Sequence, residues 1–267
     1  MRVMTWNVWW RFGPWELRAE AIRSVIAAEA PDVVCLQEVW SLGDDSFAAQ
    51  LATSLGYRWA ITDDPFADVR GEGRPGFHNA ILARESLTDV VSHPLPRHDG
   101  TPGHRRALSA RVGVDRREWM VMCTHLDHRF DDSAMRQAQA DEILRIVAAR
   151  RPDPDTEPPV VVCGDFNAPP DSDEVRLLTG RRAGPIRNLV LSDAWEQVGE
   201  GSGHTWRRDN PYQAATAWPN RRLDYVFVSW PRPKPLGNPV RAHLAGIDAV
   251  DGVVPSDHAA VVVDLHP

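Results

Sequence analysis

Lysine is almost missing: the 267-residue chain has Lys234 and no other, although Lys and Arg together number 30. Against them stand 37 Asp and Glu, for a formal charge of −7, and no Lys/Arg stripe runs beside any motif. A protein that coats duplex nucleic acid is normally basic, so that class is disfavoured. No run of about 18 apolar residues occurs, hence no membrane span is expected. No secretory stretch is expected either, because Met1-Arg2-Val3-Met4-Thr5-Trp6-Asn7 already reads as a strand. Cysteine is scarce. Cys35, Cys123 and Cys163 are too few and too odd in number for a disulfide framework, and none forms a C-x-x-C clip. Each lies in an apolar run, as a buried free thiol would, which points to a reducing, cytoplasmic compartment. Walker A, Rossmann and zincin motifs are absent.

What is present is an ordinary globular composition, 43% hydrophobic and 25% charged, enough for one catalytic domain over residues 1–267 and a monomer. Short apolar runs predict strands at Arg2–Asn7, Asp32–Glu38, Tyr57–Thr62, Asn79–Ala83, Leu87–Pro94, Arg105–Val114, Glu118–Thr124, Val160–Cys163, Leu223–Ser229 and Ala259–Leu265. Helical spacing predicts a helix from Pro14 to about Ala30. A second, capped by Asp44 or Asp45, ends at Gly56; a third covers Asp131–Arg151 and a short one Ser172–Leu178. Asp63–His78 is a polar loop, and the proline-rich 152–159 segment a surface loop rather than a linker. The strands do not alternate regularly with helices, so two mixed sheets packed face to face with helices outside are expected, not a doubly wound parallel sheet.

Polar residues interrupt these runs in a pattern. Asn7, Glu38, His125 and the pair Asp165 and Asn167 lie at strand C-termini, whereas Asp224 and Asp257-His258 lie at strand N-termini. Antiparallel pairing brings both kinds of end to one rim, where all can face one cleft. Carboxylates with Asn and without thiolates select a hard cation, Mg²⁺ or Mn²⁺. Phosphoryl transfer needs that neutralising charge, an activated water and donors to phosphate. Asp165 with Asn167, and His125 with His258, are side chains of the right types.

Trp6-Asn7, Leu36-Gln37-Glu38-Val39, Thr124-His125-Leu126, Gly164-Asp165-Phe166-Asn167, Leu223-Asp224-Tyr225-Val226 and Ser256-Asp257-His258 resemble, in order, the motifs of the endonuclease/exonuclease/phosphatase superfamily. The resemblance implies a deoxyribonuclease I-like four-layer α/β/β/α sandwich and Mg²⁺-dependent phosphoester hydrolysis. It implies that Glu38 binds metal with Asn7 and Asp257 beside it, and that Asp165 and Asn167 handle the nucleophile or leaving group. Asp224 pairs with His258, and His125 contacts phosphate. Where some members carry a second carboxylate, two residues after the first Asn, this chain has Trp9.

Around this set, Asn79, Arg106 and His128 are expected to bind substrate, with Arg105 an alternative to Arg106 and Asp127 open between site and helix cap. Trp9, Trp10, Trp15 and Trp40 are open between cleft wall and helix packing, and 204–211 between substrate wall and surface loop. Trp6, Trp119 and Trp230 fit core or strand positions. His93, His98, His104, His243 and His266 follow no ligand spacing. A metal-dependent phosphodiesterase, nuclease-like or acting on small diesters, is the leading expectation, with a nucleotide or short single-stranded nucleic acid among its substrates. A phosphomonoesterase and a catalytically inactive binding module are the alternatives.

Overall fold

The computed structural model describes residues 1–64 and 73–267; part of the polar loop read over Asp63–His78 lies outside them. The first sheet contains β1 (Arg2–Asn7), β2 (Val33–Val39), β5 (Arg58–Ile61), β6 (His78–Ala83), β13 (Pro239–Ala245) and β14 (Ala260–Leu265), in the order β13-β14-β1-β2-β6-β5. A small hairpin, β3 (Ser41–Leu42) and β4 (Asp45–Ser46), stands apart. The second sheet contains β7 (Leu87–Pro96), β8 (Pro102–Val114), β9 (Arg117–His125), β10 (Val161–Asp165), β11 (Val190–Asp193) and β12 (Asp224–Trp230), in the order β11-β12-β10-β9-β8-β7. The helices are α1 (Trp15–Glu29), α2 (Phe47–Leu55), α3 (Ser133–Arg150), α4 (Asp173–Leu178) and α5 (Ala194–Val198).

Strand alternation with period 2 builds three cores. Val3, Val33, Cys35, Val121, Cys123, Val161, Cys163, Val226 and Val261 fill the space between the sheets. Their neighbours Met4, Val34, Leu36 and Val262 point outward to Ile22 and Ile26 of α1 and Leu51 of α2. Met122, Val162 and Phe227 point the other way, to Ile143 and Val147 of α3 and Leu178 of α4. Central strands are therefore apolar on both faces because both faces are covered. The result is the four-layer α/β/β/α sandwich of two mixed sheets.

Some boundaries differ from the sequence reading. Ser46, not Asp44 or Asp45, caps α2: its hydroxyl accepts from Ala49 N at 3.1 Å, while Asp45 pairs with Leu42 in the hairpin. Edge strands β11 and β13 and the short α5 were not anticipated, since β11 and α5 are short and β13 is interrupted by Arg241 and His243. Trp230, expected in a core or strand position, is the last residue of β12 and is exposed, with Arg232 and Lys234 against its ring.

Candidate active site

The rim forms because strand polarity puts the right ends together. β1 runs parallel to β2, with Asn7 opposite Gln37, and antiparallel to β14, so Asp257 and His258 arrive beside Asn7. In the second sheet β10 is parallel to β9 and antiparallel to β12, which places Asp165 opposite both His125 and Asp224. Gly164 makes that approach possible: its φ is 153°, and a Cβ there would sit 2.0 Å from the Thr124 carbonyl oxygen. On β2 a bulge between Leu36 and Val39 turns Glu38, at φ 59°, out of the ladder and toward the cleft.

Asn7 links the two sheets. Its Nδ2 donates to Glu38 Oε1 and to Asp165 Oδ2, both at 3.1 Å, and its Oδ1 accepts from Trp9 N at 2.9 Å. Asp165 Oδ1 accepts from the Asn167 backbone N at 2.8 Å, and Asn167 Nδ2 donates to the Leu126 carbonyl. Asp224 Oδ2 lies 2.8 Å from His258 Nδ1, and Thr205 Oγ1 accepts from the backbone N of Leu223 and Asp224. His258 Nε2 and His125 Nε2 stand 3.9 and 3.4 Å from Asp165 Oδ2.

Charge states follow from burial and crowding. Burial and then Asp257 push the Glu38 carboxyl up to about 7. Burial and then Asp224 push Asp165 up to about 6. Burial also raises Asp257, against His258 and Arg18. Burial alone would lower the His258 imidazole, but Asp224, Asp257 and Asp165 hold it well above its ordinary value, hence cationic. Burial, with Arg105 and His258 nearby, keeps His125 well below its ordinary value, hence neutral.

Arg18 was not foreseen. It is buried in α1, and its guanidinium donates to the carbonyls of Val8, Trp9, Trp10, Phe12 and Pro255. It thereby ties the loop after Asn7 to the segment before Asp257. The sequence signal was there: Arg18, Ile22 and Ile26 fall on one buried stripe, and a charge in such a stripe has a purpose. Arg18→Met leaves these carbonyls without a donor and should cost about 3 kcal/mol. Thermal unfolding should shift down by roughly 6–12 °C, at about 2–4 °C per kcal/mol for a chain of this size. A shift below 2 °C would contradict this role.

A cleft of about 1270 Å³ opens from Glu38, and Arg74, Arg97, Arg105, Arg129, His98, His104 and His128 are among its lining. This corrects the expectation of no basic stripe: the arginines come from separate segments and converge only in the fold. It also separates Arg105 from Arg106. Arg106 turns away, donating to Asp63 Oδ2 and the Gly103 carbonyl, whereas Arg105 sits by Glu38 with its Nη2 3.2 Å from His128 Nδ1. Asn79 is buried near His125, its Nδ2 donating to the Arg106 carbonyl at 2.7 Å. Asp127 lines the cleft and accepts from Arg129 N within its own loop; it does not cap the next helix, because Asp132 does so, accepting from Met135 N at 3.1 Å. Of the four tryptophans considered, Trp10 lines the cleft with Phe12. Trp9 packs on Tyr212 at 4.6 Å, and Trp15 packs edge-on to Trp40 at 5.6 Å.

Residues 4–258 match the Endonuclease/Exonuclease/phosphatase family. The chain belongs to this family. It is 25% identical over 252 residues to tyrosyl-DNA phosphodiesterase 2 of Homo sapiens, covering 93% of this chain and 63% of that protein. It thus spans less than two thirds of that relative's length. The human nocturnin catalytic domain, solved with a bound sulfate anion, superposes with a TM-score of 0.74 at 25% identity, over 100% of this chain and 93% of that one. D. rerio TDP2, solved with a single strand DNA product, gives the same TM-score of 0.74 at 23% identity, over 98% and 97% of the two chains.

The donor set suits the hard cation that the family resemblance implies. The half-buried Glu38 carboxyl is pushed up by burial and then by the neighbouring buried carboxylate of Asp257, an arrangement a divalent cation relieves. Asp224 Oδ1 is buried with no hydrogen-bond partner among the described residues. Asp165, Asp224 and His258 also bring one ligand atom each within 4.8 Å of one another. A cationic His258 bonded to Asp224 is, however, a poor ligand.

Proposed function

We propose that this protein is a Mg²⁺- or Mn²⁺-dependent phosphodiesterase acting on small or single-stranded phosphodiesters. The observation that carries the reading is the shared rim: Asn7, bonded to Glu38, and His258, bonded to Asp224, both reach Asp165 of the second sheet, and Glu38 lines the arginine-rich cleft. The relatives' names support it, since one is a tyrosyl-DNA phosphodiesterase and another was solved with a single strand DNA product. In this reading residues 1–267 act as one catalytic unit and a monomer, because both sheets supply the site. Free Cys35, Cys123 and Cys163 suit a cytoplasmic setting.

Glu38 and Asp257, with Asn7 beside them, would hold the ion, which supplies positive charge to the non-bridging phosphate oxygens. Asp165, as the anion, accepts the proton of the attacking water, which Asn167 orients. His258 donates from Nε2 to a phosphate oxygen, and Asp224 keeps its Nδ1 engaged and its charge in place. His125 offers a further donor in its neutral form, while Arg105 and His128 meet phosphate from the cleft side. Arg106 and Asn79 hold the strand that carries Arg105.

Two comparisons test the assignment. An aryl phosphodiester should be turned over faster than the matching monoester; a monoester preference would overturn the diester reading. At saturating metal, kcat/KM should rise as pH climbs through about 6, where Asp165 loses its proton, and fall at alkaline pH as His258 loses its own. A rate that increases below pH 5 would remove Asp165 from the base role.

A further inference from the structure

Beside the catalytic rim, on the far side of Trp206 from His258, stands an exposed aromatic pair. Phe130, in the loop after β9, and Trp218, in the segment before β12, have ring centroids 4.5 Å apart. They are 46% and 40% exposed. The guanidinium of Arg221 lies 5.0 Å from each ring, and no carboxylate pairs with it among the described residues. The pair is anchored to the site by a single extended segment. Trp206 exchanges backbone hydrogen bonds of 2.9 and 2.8 Å with Arg221, and Thr205 O accepts from Ala259 N at 2.8 Å. Trp206 also forms a bridge with His258, and its ring lies 6.3 Å from Phe130. Arg221 is therefore two strand spacings, roughly 10 Å, from His258.

We propose that Phe130, Trp218 and Arg221 form a stacking subsite for a nucleobase of the substrate, next to the nucleotide whose phosphate is cleaved. The proposal rests on the phosphodiesterase reading and deepens it. A base has a planar π-face that stacks on exposed aromatics regardless of its identity. The Arg221 cation adds attraction for that face and for the adjoining phosphate. The patch is narrow and edged by a cation, which suits one base better than a broad apolar partner surface. Its distance from His258 puts it beyond the reach of a small diester, so it bears on oligonucleotides alone.

The test compares three substrates: a short single-stranded oligodeoxynucleotide, the same oligomer with one base removed beside the cleaved bond, and bis(4-nitrophenyl) phosphate. Trp218→Ala and Phe130→Ala should each raise KM for the intact oligomer about tenfold, within the range for losing one stacked base. They should leave kcat within twofold and hydrolysis of the small diester unchanged, and Trp218→Phe should restore most of the loss. The base-less oligomer should bind the wild type as weakly as the intact one binds the variants, with no further loss in the variants. Equal KM for wild type and variants, or a matching loss on the small diester, would overturn the subsite. Fluorescence anisotropy of a labelled oligomer in EDTA reads the same affinities without turnover. Trp218-dependent binding in a protein that hydrolyses no diester would keep the subsite and overturn the phosphodiesterase reading instead.

Discussion

Asp165→Asn should lower kcat on an aryl phosphodiester by roughly 10²–10⁴-fold, the range for losing a positioned general base. The side chain keeps its shape, but an amide does not accept the proton of water. Stability should hold or improve at alkaline pH, and the sign follows from linkage. The folded-state pKa of about 6 lies above the ordinary value of 3.8. The group's contribution to stability is therefore intact below about pH 4 and is lost as pH rises through about 6. At pH 8 the wild type carries an unfavourable buried charge next to Asp224, and Asn removes it. Activity assays paired with thermal unfolding at pH 8 check both halves. A melting temperature that falls in step with activity would make Asp165 a structural residue.

Glu38→Gln should weaken divalent-metal binding and cut turnover at fixed metal concentration by at least ~10²-fold, the scale of removing a main electrostatic stabiliser. Without metal, burial and Asp257 hold the Glu38 carboxyl near 7, so below that pH an arriving ion must displace its proton. Wild-type affinity for Mg²⁺ should therefore rise from pH 6 to pH 8. Calorimetric titration in buffers of different ionisation enthalpy should show more proton release at pH 6 than at pH 8. Gln has no such proton, so the variant's affinity should vary less with pH. An affinity shared by wild type and variant, with no proton exchange in either, would remove Glu38 from the metal site.

Much of this architecture can be read from the chain because alternation leaves a clear trace. Val160-Val161-Val162-Cys163 is apolar on successive positions since Val161 meets the other sheet and Val162 meets α3. The clustering of the candidate set was legible for a related reason: Asn7, Asp165 and Asp224 interrupt or end such runs, and a polar side chain at the end of a buried strand has few places to go except a rim. The family motifs then ordered them. The basic cleft was not legible, because Arg74, Arg97, Arg105 and Arg129 are distant along the chain and share no periodicity. Nor could spacing decide between Arg105 and Arg106, adjacent in β8, where strand geometry sends neighbouring side chains to opposite sides. Phe130 and Trp218 are 88 positions apart along the chain. Only the return of the chain through Thr205 and Trp206 brings them together.

The most direct test of the central claim is turnover of bis(4-nitrophenyl) phosphate by protein dialysed exhaustively against EDTA, before and after Mg²⁺ or Mn²⁺ is restored. The carboxylates of half-buried Glu38 and buried Asp257, which repel one another, predict negligible hydrolysis without metal and recovery on adding either ion, in wild type and far less in Glu38→Gln. Full activity in the metal-free protein, or none under any metal, would contradict a metal-dependent phosphodiesterase.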